Sequence, residues 1–299
     1  MKAHLTRGIL AAVLTPLDDD GEACLPMLIE HGRRLLDAGC DGIVLLGTTG
    51  EANSFTCAER QAILERSTSG GLPASKLIVG TGCCAAGDTI TLTAHALSLG
   101  VARVLMLPPF YYKGVDERGI VDAYARVIDG VGDDHLRVYL YQIPQLSGVD
   151  IASPVIDALL ARYPDIVAGI KDSSGDRGRI ADLCRRFGNS FDVLVGNERF
   201  LSAALAEGAC GCVTATANVF AEPICALFES RDAALEARVI AARAVFEAYP
   251  MIAGLKACVA RRTGGTRWLN LRPPLTGLSQ SESDALVFAC EGAFVQPAP

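Results

Sequence analysis

The sequence lacks the features that mark metalloproteins, nucleic-acid binders and membrane proteins. Its four histidines are scattered, with no H-x-x-x-H or H-x-x-E spacing, so we expect no metal site. A net charge of -7 and the absence of a basic run argue against a nucleic-acid partner. No 18-residue apolar stretch and no secretory signal occur, so we expect a cytoplasmic protein without a membrane segment.

Cysteine spacings typical of metal or redox sites are also missing, although the chain has eleven cysteines. No C-x-x-C pair exists, since Cys83 and Cys84 are adjacent and Cys210 and Cys212 form a C-x-C. An odd number fits a complete disulfide framework poorly. Several cysteines fall within apolar strand or helix patterns, so we interpret them as reduced core residues.

What the sequence does contain is a regular alternation of apolar runs and helical patterns. The apolar runs predict strands at 8–14, 42–46, 77–79, 104–107, 138–141, 166–170, 193–196 and 212–214. Strands that are apolar throughout and separated by helices indicate a parallel sheet covered on both faces. Eight such units predict a (β/α)8 TIM barrel over residues 1–220. No G-x-G-x-x-G follows the first strand, which disfavours a doubly wound sheet. Residues 221–299 are helical in pattern and predict a C-terminal extension packed on the barrel.

One predicted strand ends on an amine. The apolar run 166–170 leads directly into Lys171, and a helical pattern that stops at Gly188 follows. Burial and a nearby helix N-terminus both disfavour an ammonium group, so this amine can act as a neutral nucleophile. The alternative is a structural lysine whose head pairs with Asp172 or reaches water.

Further polar side chains follow the other strands. The active site of a barrel lies at the carboxyl ends of its strands, and those ends carry Thr48, Thr49, Tyr111, Tyr112, Tyr141, Lys171, Glu198 and Thr214. The turn 47–50 has two hydroxyls and free backbone N–H groups, which suits a carboxylate, although a plain turn capped by its threonines is equally consistent. Tyr141 can transfer protons if its hydroxyl meets a partner, or can be a packed core tyrosine.

Four motifs resemble the dihydrodipicolinate synthase/N-acetylneuraminate lyase family in order and spacing. They are GTTGE at 47–51, PFYY at 109–112, YQIP at 141–144 and GIKDSS at 169–174. The resemblance extends over essentially the whole chain, since RPPL at 272–275 also fits. It implies a class I pyruvate aldolase without a cofactor, usually a homotetramer built as a dimer of dimers.

The resemblance also implies roles for individual residues. Lys171 would form the Schiff base with a small 2-oxo acid, and Tyr141 would transfer protons. Thr48 and Thr49 would meet the carboxylate of the 2-oxo acid, with Thr48 also in the proton relay. Tyr111 would reach into the site of a neighbouring subunit. A lysine iminium acts as an electron sink, so that a C3–C4 bond can break or a C3 proton can leave through one enamine.

The substrate is indicated by departures from the family pattern. Synthases of the lysine pathway resemble Tyr-Asn-x-Pro-x-Arg-[Thr/Ser]-Gly at 141–148, where the arginine binds the carboxylate of the second substrate. Here Leu146 stands at that arginine position, and Gln142 replaces the usual asparagine. An apolar side chain cannot supply a fork to a carboxylate. This stretch is similar instead to the lyase and sugar-acid aldolase branch.

Further positions are matched to that branch. Ser173 matches a substrate-hydroxyl contact of the lyases, and the stretch from Gly196 onward lies where lyases carry two acidic groups. Glu198 keeps the first acidic group, but Arg199 reverses the second, which argues against sialic acid itself. We therefore predict substrate contacts by Thr49, Leu146, Ser173, Gly196, Glu198, Arg199 and Thr214.

The predicted activity is cleavage of a 4-hydroxy-2-oxo acid, such as a 2-keto-3-deoxy sugar acid, into pyruvate and an aldehyde, or the reverse condensation. Three alternatives stay open at this point. They are a dihydrodipicolinate synthase, a dehydratase or hydratase-aldolase that uses the same enamine, and a sensor that binds a 2-oxo acid without turnover.

Overall fold

The computed structural model describes residues 6–188 and 190–294. Eight parallel strands close into a barrel in chain order, with β1 paired to both β2 and β8. The strands are β1 Gly8–Ala12, β2 Gly42–Leu45, β3 Leu77–Gly80, β4 Arg103–Met106, β5 Arg137–Gln142, β6 Val167–Asp172, β7 Asp192–Val195 and β8 Gly211–Thr214. The predicted (β/α)8 barrel is confirmed.

Helices surround the barrel and continue beyond it. They are α1 Leu25–Asp37, α2 Cys57–Ser69, α3 Ala86–Ser98, α4 Glu117–Val131, α5 Pro144–Ser147, α6 Ser153–Arg162, α7 Arg177–Phe187, α8 Leu201–Ala206, α9 Ala217–Ser230, α10 Ala233–Glu247, α11 Met251–Thr263 and α12 Gln280–Phe294. Helix α2 begins at a capping box, in which Thr56 Oγ1 accepts from the Glu59 backbone N–H and the Glu59 carboxylate accepts from the Thr56 N–H.

The apolar residues of the strands form two layers. One cluster fills the barrel interior and includes Leu10, Val44 and Tyr141, while a larger cluster lies between the strands and the helices. This division follows from the alternation of strand side chains between the two faces of the sheet. The cysteines are free thiols, and several lie in this core, as predicted, although Cys84 is exposed.

The helices after the barrel are tied to the turn that follows β2. Lys256 of α11 is fully buried and forms an ion pair with the carboxylate of Glu51. Burial lowers the pKa of Lys256, and the adjacent Glu51 carboxylate counteracts that shift. The backbone N–H of Arg272 donates to Glu51 at 3.1 Å, and its guanidinium pairs with Glu59 on α2. The extension therefore holds one edge of the barrel mouth.

Helix α9 runs across residue 220, where the barrel was predicted to end. It packs against β1 and departs from helical geometry at Phe220. The guanidinium of Arg262, on α11, donates to the carbonyl of Val219 beside this kink. No helix in the described ranges is long and apolar enough to cross a membrane.

Candidate active site

An irregularity in β6 determines which way Lys171 points. Two consecutive residues of β5 pair with Val167 and Gly169, which leaves Ala168 as an extra residue of β6. A bulge of this kind shifts the alternation of side chains by one position. Ile170 consequently packs in the layer beneath the helices, and Lys171 points into the barrel mouth.

Lys171 lies in a largely buried position beside an aromatic ring. Its side chain is only 5% exposed, and its Nζ donates to the hydroxyl of Tyr141 at 3.2 Å. The same Nζ lies 4.3 Å from the centre of the Tyr141 ring. Lys171 and Tyr141 are register partners on β6 and β5, so the pairing of the two strands brings amine and hydroxyl together.

Tyr141 connects the amine to a second hydroxyl. Its Oη lies 3.2 Å from Oγ1 of Thr48, which produces a chain of three groups from Lys171 through Tyr141 to Thr48. Each of the two hydroxyls can donate or accept, so this chain can carry a proton in either direction. Both distances lie at the long end of the range for hydrogen bonds.

The turn that carries Thr48 is held in a constrained conformation. Leu46 and Glu51, at its two ends, have φ angles of 54° and 58°, a left-handed region that is uncommon for residues other than glycine. The neighbouring strand β3 approaches so closely that a Cβ on Gly80 would lie 2.0 Å from the carbonyl oxygen of Leu46. Close packing against β3 and the buried partners of Glu51 therefore hold Thr48 and Thr49 in place.

Asp172 does not form an ion pair with Lys171. Its buried carboxylate accepts from Nε of Arg179 at 2.7 Å and from the backbone N–H of Ser174 at 2.9 Å. Adjacent residues in a strand point to opposite faces of the sheet, which separates the two side chains. The ion pair that would have made Lys171 a purely structural lysine is thus absent.

A cavity of about 650 Å³ opens above Lys171 at the carboxyl ends of the strands. Its wall contains seven of the residues assigned to the site from the sequence: Thr48, Thr49, Tyr141, Leu146, Lys171, Ser173 and Gly196. Gly196 and Ser173 are in close contact, since a Cβ on Gly196 would lie 1.8 Å from Oγ of Ser173. A glycine at this position therefore leaves the space that the Ser173 hydroxyl occupies.

Four other predicted residues do not line this cavity. Tyr111 is 74% exposed and packs edge to face against Tyr112, so its predicted role in a neighbouring subunit stays a prediction. Arg199 pairs with the Glu247 carboxylate at 2.6 Å. Glu198 and Thr214 are buried outside the cavity wall.

The carboxylate of Glu198 is occupied by groups of the protein itself. It accepts from the hydroxyls of Thr214 and Thr216 and from Nη1 of Arg243 at 3.2 Å. Glu198 is 1% exposed, so it has no free surface for a ligand. Its position differs from the predicted direct contact with substrate, because α10 brings an arginine between this carboxylate and the cavity.

Sequence reasoning missed the part of the cavity wall that the C-terminal extension provides. Helix α10 contributes Arg243 and Glu247, and the segments around α11 contribute Pro250, Met251, Ile252, Ala253, Leu271, Pro274, Leu275 and Thr276. These residues are far from the strand motifs in the chain, and none of them belongs to a motif with its own chemistry. The one available signal was RPPL at 272–275, which provides Pro274 and Leu275.

Lys171 is distinguished from the other lysines by its surroundings. Within the described ranges the chain has three more: Lys76, Lys113 and Lys256. Lys256 is enclosed by Glu51 and the carbonyl of Asn270, and Lys113 donates to two backbone carbonyls on the outer surface. Lys171 alone among these four lines the cavity. No cluster of three or more His, Cys, Asp or Glu side chains that could hold a metal occurs in the described ranges.

A closed (β/α)8 barrel with a buried lysine at the end of β6 and a tyrosine hydroxyl 3.2 Å from its amine defines a lyase of the lysine Schiff-base class. Comparison with known proteins agrees with this class. The model of the Dihydrodipicolinate synthetase family matches residues 5–291, and the chain belongs to this family.

Individual relatives and a solved structure match between 73% and 97% of the chain. It is 38% identical over 293 residues to an uncharacterized DapA-like lyase of Chloroflexus aurantiacus, covering 95% of this chain and 96% of the relative. It is 33% identical over 222 residues to a 4-hydroxy-tetrahydrodipicolinate synthase of Acidiphilium cryptum, covering 73% of each. The crystal structure of dihydrodipicolinate synthase from Agrobacterium tumefaciens superposes with a TM-score of 0.92 at 30% identity, covering 97% of this chain and 100% of the other.

Proposed function

We propose that the protein is a class I aldolase that cleaves or forms a 4-hydroxy-2-oxo acid with a hydroxylated tail, such as a 2-keto-3-deoxy sugar acid. The products of cleavage are pyruvate and an aldehyde. The observation that carries this proposal is the chain Lys171–Tyr141–Thr48, with 3.2 Å between successive polar atoms, at the base of a cavity of about 650 Å³.

The chemistry begins with attack of Nζ of Lys171 on the C2 carbonyl of the 2-oxo acid. Loss of water leaves an iminium, which withdraws electrons from C3. The C4 hydroxyl gives its proton to Tyr141 while Tyr141 passes its own proton through Thr48 to water, the C3–C4 bond breaks and the aldehyde leaves. The bonding electrons pass to the iminium and form an enamine. Return of a proton to C3 and hydrolysis of the iminium release pyruvate and regenerate the amine.

The threonine turn has two tasks in this scheme. Thr49 and the backbone N–H groups of the turn bind the carboxylate of the 2-oxo acid, which holds C2 against Lys171. Thr48 passes protons between Tyr141 and water. The constrained φ angles at Leu46 and Glu51 support both tasks, because they keep the two hydroxyls in fixed positions.

The choice of a sugar acid is supported by the residues away from Lys171. Leu146 lines the cavity at the position where synthases of the lysine pathway have an arginine, so this position has no cation for the carboxylate of a second substrate. Ser173 lines the same wall and can bind a substrate hydroxyl. We further propose a homotetramer in which the exposed Tyr111 enters the site of a neighbouring subunit.

Reduction with borohydride in the presence of pyruvate tests the mechanism. We expect irreversible addition of a pyruvate-derived group to Lys171, located by peptide mass spectrometry. Lys171→Ala should abolish both the adduct and turnover, whereas the matched control Lys113→Ala should keep both, since Lys113 lies outside the cavity. An adduct on Lys113 or Lys256, or no adduct at all, would contradict the proposal.

A further inference from the structure

Two charged side chains of α10 face the cavity without an assigned role. Arg243 and Glu247 line the cavity wall, and they contact each other through Nε of Arg243 and Oε1 of Glu247 at 3.1 Å. They stand one helical turn apart, so the helix itself holds the pair together. Neither residue belongs to the Lys171–Tyr141–Thr48 chain.

Arg243 is fixed in orientation while one end of its guanidinium stays available. Its Nη1 donates to the buried Glu198 at 3.2 Å and its Nε donates to Glu247. Only 12% of its side chain is exposed. Within the described ranges its Nη2 has no hydrogen-bond acceptor, so this nitrogen can donate to a bound ligand.

Glu247 offers the complementary group. Partial burial raises its pKa, but hydrogen bonds from Asn197, Arg243 and Arg199 outweigh that effect and lower the pKa overall. Glu247 is therefore an anion at neutral pH, and 31% of its side chain is still exposed. A carboxylate has about four sites for acceptance, and the three donors leave capacity for a hydroxyl of a ligand.

The charges of this wall favour neutral hydroxyl groups over a second carboxylate. Among the described residues that line the cavity, Lys171, Arg243 and Glu247 are the charged ones. Lys171 is consumed by the condensation with the 2-oxo acid. A carboxylate on the other half of the substrate would approach Arg243 but would also meet the anion of Glu247 at its side, and the two effects oppose each other. A hydroxyl can accept from Arg243 and donate to Glu247.

We propose that Arg243 and Glu247 determine specificity by binding the hydroxyl groups of the aldehyde half of the substrate. This inference rests on the proposed aldolase function and specifies which residues select the aldehyde. The hydrogen bonds involve charged groups, so replacement of either partner should lower selectivity for hydroxylated aldehydes by about 10- to 100-fold.

The test compares aldehydes that differ only in hydroxyl groups. Condensation with pyruvate is measured for glyceraldehyde against propionaldehyde and for erythrose against butyraldehyde, as ratios of kcat/KM. The intrinsic reactivities of the aldehydes cancel when the ratio of a variant is divided by that of the unmodified protein. We expect the unmodified protein to prefer the hydroxylated member in at least one pair.

Glu247→Gln and Arg243→Lys are the informative variants, and Glu236→Gln is the matched control. Glu236 lies in the first turn of the same helix α10 but does not line the cavity, so its replacement removes a carboxylate from α10 without removing a cavity donor or acceptor. We expect the first two variants to lose selectivity and the control to retain it. Glu247→Gln keeps the shape of the side chain, so it remains informative if Arg243→Lys folds poorly because of the buried Glu198.

The outcomes separate this inference from the function on which it rests. Borohydride trapping of pyruvate on Lys171 should be unchanged in all three variants, and its failure in the unmodified protein would overturn the aldolase function instead. Two results for the unmodified protein would overturn the specificity role while trapping stays intact. One is that neither glyceraldehyde nor erythrose is turned over, and the other is that neither is preferred to its counterpart without hydroxyl groups. Unchanged ratios in Glu247→Gln and Arg243→Lys, or an equal loss in Glu236→Gln, would also overturn it.

Discussion

Replacement of Tyr141 by phenylalanine isolates the contribution of a single hydroxyl. The ring stays in place, so its contact with Nζ of Lys171, 4.3 Å from the ring centre, is retained. What is lost is the oxygen between Lys171 and Thr48. We expect pyruvate to bind and to form its Schiff base, because the amine keeps its position.

The free-energy cost of removing the hydroxyl differs between a catalytic tyrosine and a packed one. The two hydrogen bonds of Tyr141 Oη are both 3.2 Å long, and each contributes about 0.5–1.5 kcal/mol to stability. Loss of a general acid–base group lowers kcat by roughly 10²–10⁴, which corresponds to about 2.7–5.4 kcal/mol in the barrier. The barrier should therefore rise by more than stability falls.

Three measurements on Tyr141→Phe decide between these cases. They are kcat with the best 2-oxo acid, the yield of the borohydride adduct on Lys171 and the free energy of unfolding in urea. We expect a large fall in kcat, an unchanged adduct yield and a small loss of stability. A kcat within about threefold of the unmodified protein, against the expected factor of 10² or more, would refute the proton-transfer role.

Thr48→Val is the matched variant, since it removes the next hydroxyl with little change of shape. If Tyr141 and Thr48 act as one relay, the double variant should be scarcely slower than Tyr141→Phe alone, because residues that act as a unit are not additive. Losses that multiply would refute the relay and leave Thr48 with carboxylate binding only.

Two further predictions concern substrate choice and acid stability. Leu146→Arg should raise kcat/KM for condensation of pyruvate with aspartate semialdehyde and lower kcat/KM for cleavage of 2-keto-3-deoxy acids. Efficient condensation by the unmodified protein would contradict this prediction and would assign carboxylate binding to Arg243. The hydrogen bond from Arg272 is the main cause that lowers the pKa of Glu59 to about 2 from 4.5. Since this pKa is depressed on folding, Glu59 stabilises the protein above about pH 4.5, and that contribution is lost as the pH falls towards 2. The difference in urea stability between the unmodified protein and Glu59→Gln should shrink over this range, and a constant difference would contradict the assignment.

The barrel could be predicted from the sequence because its strands are apolar on both faces and each ends in a distinctive turn. The position of Lys171 followed from the same pattern, since an apolar run that stops on an amine marks a strand end. The direction of its side chain did not follow. It depends on the extra residue Ala168 in β6. A strand that is apolar at every position shows no alternation of polar and apolar residues, so the sequence does not reveal a one-residue shift.

The far side of the cavity could not be predicted because it depends on the packing of the extension. Arg243 stands in a surface helix, and only the packing of α10 against residues 198–200, which follow β7, brings it to Glu198. The same packing explains why Glu198, expected at the substrate, is buried instead: a carboxylate that gains three internal donors has no free surface left. Local sequence carries no information about such a distant partner.

The site thus divides into two halves with different structural origins. In the proposed mechanism the strand ends of the barrel supply the amine, the hydroxyl relay and the turn that binds the carboxylate. The extension supplies Arg243, Glu247 and the apolar wall on the opposite side of the cavity, where we propose that the second half of the substrate binds. Substitutions on α10 are therefore expected to change which aldehyde is accepted while pyruvate condensation on Lys171 continues. Substitutions at Tyr141 should slow every substrate alike.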